Sequence, residues 1–414
     1  MAQLSDDCFA FGGALLTVDA AREMIARQIG RADGIEHVGL DAADGRVLAE
    51  AVIAPVDLPP FDNAAVDGYA VQLRGLEAGG RLPIVGRLAA GAAPSALTAG
   101  TARRIFTGAA MPPGADTVFM QEDVQVEGGH VDLPPGLRPG ANTRPRGEDI
   151  AGGATALPAG RRLRPQDLAL AAALGLTTLP VCRPVRVALF STGDELVEPG
   201  AVPGPAQRFD SNRVLLAAMA RRAGAQVTDL GILPDRLDAI TAALRDAVRG
   251  HDLVLTSGGV SAGEEDHVRA AIEALGRLVF WRLAVKPGRP VAMGVVAGVP
   301  FMGLPGNPVA AFVTFIQLAR PLIAALSGET PMPPPVFRVP AAFSYRKKTG
   351  RREYVRVRLT PGPDGTLTAH KHAVDGAGIL TSLTETDGLA ELPDDMTAVT
   401  PGDSVAFLPY ALLM

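Results

Sequence analysis

Three loops near the middle of the chain combine residue types that bind anions and divalent cations. The segment STGDE at 191–195 offers two hydroxyls and two carboxylates, which suit Mg²⁺ held through a carboxylate and substrate phosphate oxygens. The segment SGGVSAGEED at 257–266 is glycine-rich, so successive backbone N–H groups can turn towards one anion. The segment KPGRP holds Lys286 and Arg289 on a proline-stiffened turn, which is pre-organised for an oxyanion or a phosphate.

The glycine-rich loop predicts anion contacts at Ser257, Gly258, Gly259 and Ser261. From the residues alone, this loop could also be a tight strand–helix turn, and STGDE could be a helix-capping loop. The segment LPGNP at 304–308 could start a helix at Pro308 or present backbone N–H groups to an anion. Because the sequence contains no Walker lysine motif and no complete G-x-G-x-x-G, an ordinary ATPase or dehydrogenase is disfavoured.

Two further polar segments precede these loops. PPFDNAAVDGYAV at 59–71 places Asp62 and Asp67 beside two aromatic residues, and RPRGEDI at 144–150 is rich in charge. Either segment alone is typical of a solvated turn. The six histidines are scattered and nothing singles out a serine, so the sequence predicts neither a histidine metal site nor a hydrolytic triad.

The elements that must position these loops alternate between strand and helix from Val185 onwards. The buried-strand runs read VRVALF, AQVTDLGIL, DLVLTS and LVFWRLAV. Helical periodicity falls on 212–223, 237–248, 267–275 and 308–326. This alternation predicts a doubly wound, mostly parallel sheet. Since ligands bind at the carboxyl ends of the strands in such sheets, we expect the three loops at one edge.

The flanking segments predict further domains, so the whole chain is expected to be a multidomain α/β protein. Two helices flank a turn-rich segment with short apolar runs, which indicates a helical domain interrupted by an inserted β domain. After the stiff linker PMPPPV, period-two strands around PGPDG predict a C-terminal β domain. The predicted boundaries are 1–55 with 144–182 for the helical domain, 56–143 for the inserted domain, 183–330 for the sheet domain and 331–414 for the C-terminal domain.

Composition limits the class of protein. The 414 residues carry a net charge of −5 and no dominant basic run, so nucleic acid is not expected as a partner. We identify no apolar stretch long enough to span a bilayer and no secretory signal at the start, which argues against membrane association and export. Cys8 and Cys182 are far apart, as in a reducing compartment, so a cytoplasmic location is expected.

Seven segments occur in an order and at a spacing that together are specific. They read PPFDNAAVDGYAV, RIFTGAAMPPGAD, RPRGEDI, LFSTGDEL, SGGVSAGEED, AVKPGRP and LPGNP. With them the chain closely resembles the molybdopterin molybdenumtransferase family, which is related to plant molybdenum insertase and gephyrin E domains. The resemblance implies a four-domain homodimer with a β-barrel-like C-terminal domain. It also implies adenylylated molybdopterin, molybdate and Mg²⁺ as substrates and cofactor, and molybdenum cofactor and AMP as products.

The resemblance also implies roles for individual residues. The family's functional acids match Asp67, Asp149, Glu195, Asp235 and Asp266. Two of these acids, Glu195 and Asp235, would hold Mg²⁺ beside the pyrophosphate link of the substrate. Its substrate-contacting positions match Thr107, Lys286, Arg289, Pro305, Pro308 and Arg351. The three cationic side chains among them would hold molybdate beside the dithiolene sulfurs.

Two positions depart from the family's pattern. Many members have a serine shortly after LPGNPV, where this chain has Ala310, and many read G-S where this chain has Gly376-Ala377. Both serine hydroxyls would be anion donors. Their absence bears on oxyanion affinity and on the choice between molybdate and tungstate.

Two other functions remain as alternatives. Molybdopterin adenylyltransferases share the sheet domain alone, whereas this chain also has the inserted and C-terminal segments. A non-enzymatic scaffold is suggested by gephyrin, but nothing here resembles an appended receptor-binding segment. Transfer of molybdenum is therefore the expected function, with other proteins of molybdenum cofactor synthesis as expected partners.

Overall fold

The computed structural model describes residues 15–74, 76, 80–260, 267–332 and 335–413. Up to residue 182 its helices are α1 (Val18–Gln28) and α2 (Pro165–Ala173), with a 3₁₀ turn at Leu40–Ala42. The strands of this part are β1 (Ile35–Gly39), β2 (Val52–Ile53), β3 (Asn63–Ala64), β4 (Gly68–Val71), β5 (Gly80–Leu88), β6 (Ala102–Ile105), β7 (Thr117–Met120), β8 (Gln125–Glu127), β9 (His130–Leu133), β10 (Thr143–Arg144), β11 (Thr155–Leu157) and β12 (Thr178–Cys182).

Helix α1 packs against the central domain rather than against α2. Thr17 caps its N-terminus, where its hydroxyl oxygen accepts a hydrogen bond from Ala20 N at 3.1 Å. Val18, Ala21 and Ile25 recur at helical spacing and are buried in the hydrophobic cluster of the central sheet. The region expected to be helical is thus mixed in structure. It holds α2 together with the two-stranded sheets β1–β12 and β2–β11, because its short apolar runs pair as strands.

The segment between these pieces forms a six-stranded sheet of order β7-β4-β6-β5-β9-β8. β4 is antiparallel to both β6 and β7, with Gly68 paired with Ile105. A Cβ on Gly68 would lie 1.9 Å from the Phe119 carbonyl oxygen, so only glycine fits here. This register brings Asp67, just before β4, next to Thr107, just after β6.

The central part carries helices α3 (Ser211–Arg222), α4 (Leu237–Ala247), α5 (His267–Leu275) and α6 (Pro308–Leu326), and α6 includes a π-helical turn at Phe315–Ala319. Its strands are β13 (Arg186–Thr192), β14 (Leu196–Val197), β15 (Arg208–Phe209), β16 (Gln226–Leu233), β17 (Leu253–Ser257), β18 (Gly276–Arg282), β19 (Val285–Lys286), β20 (Pro290–Val296) and β21 (Val299–Leu304). The four helices agree with the sequence-based helices to within one residue at each end.

The central sheet has the order β16-β13-β17-β21-β20-β18. The first four strands are parallel, whereas β20 is antiparallel to both of its neighbours. β18 therefore runs in the same direction as β21, and the carboxyl ends of five strands meet at one edge. β20 and β21 were not predicted from the sequence. They form a hairpin whose turn is made by Ala297 and Gly298, two residues with positive φ.

Helix α6 corrects the expectation about apolar stretches. Pro308–Leu326 is long and apolar enough by composition to cross a bilayer, which sequence analysis had denied. In the structure, 78% of its apolar window is buried, because the helix packs between α1, α3 and the central sheet. It is therefore the core helix of this part of the protein.

The C-terminal part contains β22 (Phe337–Pro340), β23 (Tyr345–Arg346), β24 (Arg352–Pro361), β25 (Leu367–Lys371), β26 (Gly388–Leu392), β27 (Ala398–Val399) and β28 (Ser404–Pro409), with the short helices α7 (Thr381–Thr384) and α8 (Tyr410–Leu413). The predicted hairpin around PGPDG is formed by β24 and β25. The main sheet has the order β19-β24-β26-β28-β22. Its first strand, Val285–Lys286, comes from the central part and pairs in parallel with β24.

Candidate functional site

A cavity of about 330 Å³ lies where the 283–290 loop meets the start of α6 and the C-terminal sheet. Its charged and polar lining residues are Lys286, Arg289, Asn307, Tyr345, Arg351, Arg356, Lys371, His372 and Asp375. Pro305, Ala310 and Ala377 also line it. Five cationic side chains thus face a single lining carboxylate, and such an excess of positive charge suits an oxyanion. Among the predicted substrate-contacting residues, Lys286, Arg289, Pro305 and Arg351 meet here, while Pro308 begins α6.

A buried carboxylate organises two of these cations. Glu353 accepts a hydrogen bond from Arg351 Nε at 2.7 Å and one from the Tyr345 hydroxyl at 2.7 Å. Lys286 Nζ donates to the same hydroxyl at 2.9 Å and lies 3.4 Å from Glu353 Oε2. The pairing of β19 with β24 sets this arrangement, because it places Lys286 opposite Glu353.

The polar groups around Glu353 shift one another's pKa values. Burial alone would raise the pKa of Glu353, but hydrogen bonds from Tyr345 and Arg351 and the charge of Lys286 lower it below its usual range. Partial burial opposes the charge on Lys286, yet Tyr345 and Glu353 raise its pKa. At neutral pH the carboxylate is therefore ionised and the ammonium is protonated.

Arg356 is a cavity residue that sequence analysis did not select. It is 7% exposed, and its hydrogen-bond acceptors are neutral: Ser382 Oγ at 3.0 Å and the carbonyl oxygens of Gly376 at 3.1 Å and Val374 at 3.3 Å. Burial lowers its pKa. No carboxylate pairs with its guanidinium among the described residues. Arg356 thus adds a cation without a matched charge and also fixes the loop that carries Ala377.

The two alanines that depart from the family pattern lie in the same cavity. Val309 N donates a hydrogen bond to the Ala377 carbonyl oxygen at 3.0 Å, which joins the start of α6 to the C-terminal loop. Ala310 follows Val309 directly, so both positions face one space. A serine at either position would have its hydroxyl near the cationic side chains.

A second group of predicted residues lies at the carboxyl edge of the central sheet. Asn212 Nδ2 donates to Ser257 Oγ at 2.8 Å and to the Gly306 carbonyl oxygen at 2.9 Å. Gly258 has a φ of +88°, and a Cβ there would lie 2.6 Å from the Thr192 carbonyl oxygen. The loops after β13, β17 and β21 are therefore packed against one another, as the strand order requires. Gly259 also has a positive φ and packs beside Thr192.

The two acids expected to hold Mg²⁺ follow β13 and β16. Asp235 Oδ1 accepts a hydrogen bond from the Thr192 hydroxyl at 3.2 Å. Glu195 Oε1 instead pairs with Arg208 at 2.8 Å, at the point where β14 and β15 begin. In the part of the chain that the structure describes, no group of three or more His, Cys, Asp or Glu side chains could hold a metal. Two of the expected residues, Ser261 and Asp266, lie outside the described residues.

A third group lies in the β7-β4-β6-β5-β9-β8 sheet. Asp67 Oδ1 accepts hydrogen bonds from the Thr107 backbone N at 2.8 Å and its hydroxyl at 2.7 Å, and these lower the pKa of Asp67. Asp149 is exposed on the neighbouring segment. Over the described ranges, no hydrogen bond or ion pair within one chain connects Asp67 or Asp149 to the central edge.

Comparisons with known proteins relate this arrangement to one family. Three family models match in chain order: "MoeA N-terminal region (domain I and II)" at 16–175, "Probable molybdopterin binding domain" at 188–325 and "MoeA C-terminal region (domain IV)" at 338–410. A Haemophilus influenzae protein named molybdopterin molybdenumtransferase is 36% identical over 403 residues, which cover 97% of this chain and 100% of that protein. The chain belongs to the molybdopterin molybdenumtransferase family.

Other relatives agree with this assignment. A Mycobacterium tuberculosis protein named molybdopterin molybdenumtransferase 2 is 37% identical and is matched over 88% of this chain and 92% of its own length. The crystal structure of the molybdopterin biosynthesis moeA protein from Pyrococcus horikoshii OT3 has a TM-score of 0.81 at 28% identity and covers 96% of this chain and 100% of that one. The chain therefore has the multidomain fold of the molybdopterin molybdenumtransferase family, with mixed sheets and helices.

Sequence analysis missed several side chains around the cavity. Glu353 and Arg356 come from β24 of the main C-terminal sheet and Tyr345 from the two-stranded sheet β23-β27, and no short motif marks them as neighbours of Lys286. One signal was available: the period-two alternation of "YVRVRL" indicates the strand on which Arg356 lies. In this member of the molybdopterin molybdenumtransferase family, the pairing of β19 with β24 places Glu353 opposite Lys286.

Proposed function

We propose that this chain transfers molybdenum from molybdate to adenylylated molybdopterin and releases AMP, which completes molybdenum cofactor synthesis. The observation that carries this proposal is the cavity in which Lys286, Arg289, Arg351 and Arg356 converge. Its positive charge suits a tetrahedral oxyanion such as molybdate. The similarity to the Haemophilus influenzae transferase, which spans that protein's whole length, supports the same reaction.

The chain's own residues act mainly by positioning and electrostatics. Lys286, Arg289 and Arg351 hold the oxyanion, and Arg356 adds positive charge to the same cavity. The edge around Ser257, Gly258 and Gly259 faces the pterin substrate and its pyrophosphate link, together with Pro305, and Ser261 is assigned to the same role from its motif alone. The two dithiolene sulfurs then replace oxo groups at molybdenum, and each displaced oxo group takes up protons from the thiols and solvent and leaves as water. A further water cleaves the pyrophosphate link, so that one phosphate stays on the pterin and AMP leaves.

The residues at the sheet edge fit Mg²⁺ by the chemistry of their donors. Glu195 and Asp235 supply carboxylate oxygens from neighbouring loops, and oxygen is the ligand that Mg²⁺ prefers. Such sites usually keep several waters and take further ligands from substrate phosphates, so two carboxylates suffice. When bound, Mg²⁺ would neutralise negative charge that develops on the pyrophosphate link. Glu195 would have to exchange its contact with Arg208 for the cation.

The position of Asp67 and Thr107 on the inserted sheet supports a shared site. Asp67 and Thr107 make no contact with the cavity of their own chain among the described residues, so we propose a homodimer in which they complete the partner's site. Asp149 and Asp266 belong to the same proposed set of acids. The domain boundaries 1–55 with 144–182, 56–143, 183–330 and 331–414 are part of this proposal.

Two finer features complete the proposal. An isolated β-bridge connects Ala341, just after β22, with Ala369 in β25. This contact between the two sides of the sheet supports a barrel-like C-terminal domain. We also place the reaction in the cytoplasm, where other proteins of cofactor synthesis would deliver the adenylylated substrate and accept the product.

Anaerobic incubation with adenylylated molybdopterin, Mg²⁺ and either molybdate or tungstate tests this function. We expect AMP release and cofactor formation that depend on the oxyanion. The adenylyltransferase alternative predicts ATP consumption with free molybdopterin instead. The scaffold alternative predicts neither reaction, and either of these results would overturn the proposal.

A further inference from the structure

Tyr345 lies between two oppositely charged groups of the cavity. Its hydroxyl accepts a hydrogen bond from Lys286 Nζ at 2.9 Å and donates one to Glu353 Oε2 at 2.7 Å. The ammonium and the carboxylate lie 3.4 Å apart. The hydroxyl thus forms a hydrogen bond with each charged group and competes with a direct hydrogen bond between Lys286 and Glu353.

The two charged groups differ in mobility. The Glu353 side chain is 1% exposed and is fixed by Arg351, whereas the Lys286 side chain is 51% exposed at the end of a flexible stem. A buried carboxylate that loses a hydrogen bond is strongly disfavoured until another donor reaches it. If the hydroxyl were removed, the mobile ammonium would therefore move towards the fixed carboxylate.

We infer that Tyr345 is a positioning residue for oxyanion binding, because its hydroxyl holds Lys286 in the cavity and away from Glu353. This inference rests on the proposed function, in which the cavity binds molybdate. The placement of the ammonium matters particularly in this chain, since Ala310 and Ala377 provide no hydroxyl to the anion. The phenol takes no part in the chemistry of transfer.

Tyr345→Phe removes only the hydroxyl and keeps the ring that Lys286 Nζ approaches at 5.4 Å from the centroid. We expect the Kd for molybdate, measured by calorimetry on the intact protein, to rise about three- to tenfold, as for the net loss of one ordinary hydrogen bond, because the displaced ammonium weakens its contact with the anion without losing its charge. The molybdate concentration for half-maximal AMP release should rise in parallel, with kcat changed less than about twofold.

Tyr410→Phe is the matched control. Tyr410 is buried, whereas Tyr345 is half-buried, and its variant likewise loses one hydrogen bond, to Thr386 at 3.0 Å, but Tyr410 does not line the cavity. Its molybdate Kd should equal that of the wild type. An unchanged Kd in Tyr345→Phe, or an equal rise in both variants, would overturn the inference.

A second variant separates positioning from a general loss of packing. In Glu353→Gln the charge that attracts Lys286 is gone, so adding Tyr345→Phe to it should change the molybdate Kd by less than about twofold. The same loss in both backgrounds would contradict the inference, because a packing effect does not depend on the charge at position 353. A crystal structure of Tyr345→Phe should place Lys286 Nζ closer to Glu353.

The result for the wild type distinguishes a failure of the proposed function from a failure of the role assigned to Tyr345. If the wild-type protein fails to bind molybdate, the proposed function falls and this inference falls with it. If the wild type binds molybdate and releases AMP while Tyr345→Phe behaves identically, only the inference is overturned.

Discussion

At positions 310 and 377 this chain has alanine on two segments that a backbone hydrogen bond joins at the cavity wall. An anion held there depends on Lys286, Arg289, Arg351 and Arg356 rather than on neutral hydroxyl donors. Charge gives strong attraction with little discrimination between oxyanions of similar shape. Selectivity between oxyanions, and part of the affinity for them, therefore depends on the polar groups at single positions of the cavity wall.

Restoring both hydroxyls should strengthen oxyanion binding. A neutral hydrogen bond contributes about 0.5–1.5 kcal/mol, so Ala310→Ser with Ala377→Ser should lower the half-saturating molybdate concentration by about one to two powers of ten. Because both positions line one cavity, the combined gain should differ from the sum of the single gains. Molybdate titrations at fixed Mg²⁺ and ionic strength check this, and no shift in the double variant would contradict it.

Glu195 offers a residue-scale test of the metal site. Glu195→Gln keeps the shape and removes one charge, so AMP release at limiting Mg²⁺ should fall by at least about tenfold while the fold persists. Arg208→Ala removes the arginine that pairs with this carboxylate, so it should lower the Mg²⁺ concentration needed for half-maximal activity. If Arg208→Ala instead reproduced the loss in Glu195→Gln, the pair would merely hold the loop.

The sequence predicted the residues that share short motifs and missed those that meet through the fold. Lys286 and Arg289 lie in a conspicuous loop, so their types alone indicated an anion site, whereas Pro305 was assigned through the family resemblance. Tyr345, Glu353 and Arg356 are separated from Lys286 by roughly sixty to seventy residues, and β24, which carries Glu353 and Arg356, reaches it by pairing with β19. Such a contact leaves no local pattern in the sequence.

At the scale of elements, helices were easier to predict than strand order. Apolar residues recur at helical spacing in α3 to α6, and this periodicity fixed their ends closely. The hairpin of β20 and β21 was not predicted, because both strands are buried and their turn is Ala297-Gly298 rather than Asn-Gly. Without these strands, the neighbours of β17 could not be deduced.

The loop before β20 depends on close packing against α6. Gly288 has a φ of +112°, and a Cβ there would lie 2.4 Å from Thr314 Cγ2. Gly288→Ala should lower the free energy of unfolding by about 2–4 kcal/mol, from backbone strain and overpacking together, and raise the half-saturating molybdate concentration. Thermal unfolding and molybdate titration measure the two effects.

Two variants make this prediction specific. Gly350→Ala also meets a positive φ, +79°, but has open space around the new Cβ, so it should cost only about 1 kcal/mol. Thr314→Ser removes the opposing methyl and keeps the hydroxyl that donates to the Ala310 carbonyl oxygen at 2.7 Å. Combined with Gly288→Ala it should restore part of the stability. Equal losses in Gly288→Ala and Gly350→Ala would rule out the packing explanation.

At the scale of the whole molecule, the proposed dimer predicts complementation between inactive chains. Asp67→Asn and Lys286→Ala should each abolish AMP release if both residues serve every site. In a mixed dimer, Lys286 of the first chain would meet Asp67 of the second, so one of two sites is intact. Random reassociation of equal amounts should then restore about a quarter of wild-type activity.

Light scattering provides the control for this experiment. The wild type and both variants should have twice the chain mass of 42.8 kDa. If mixing restored no activity although mixed dimers had formed, each site would be built within one chain. A fully active monomer would contradict the shared site directly.

The parallel pairing of Val285–Lys286 with β24 has a consequence for how the protein is made. Because the ribosome synthesises the chain from its N-terminus, the central sheet can fold before residues 345–377 have been made. Until then, Lys286 lacks its strand partner, the carboxylate of Glu353 and the wall that carries Ala377. A nascent or prematurely ended chain therefore has the edge of the central sheet but lacks the complete cationic cavity. If the cavity binds molybdate as proposed, only chains that have been translated almost to the end can capture the oxyanion.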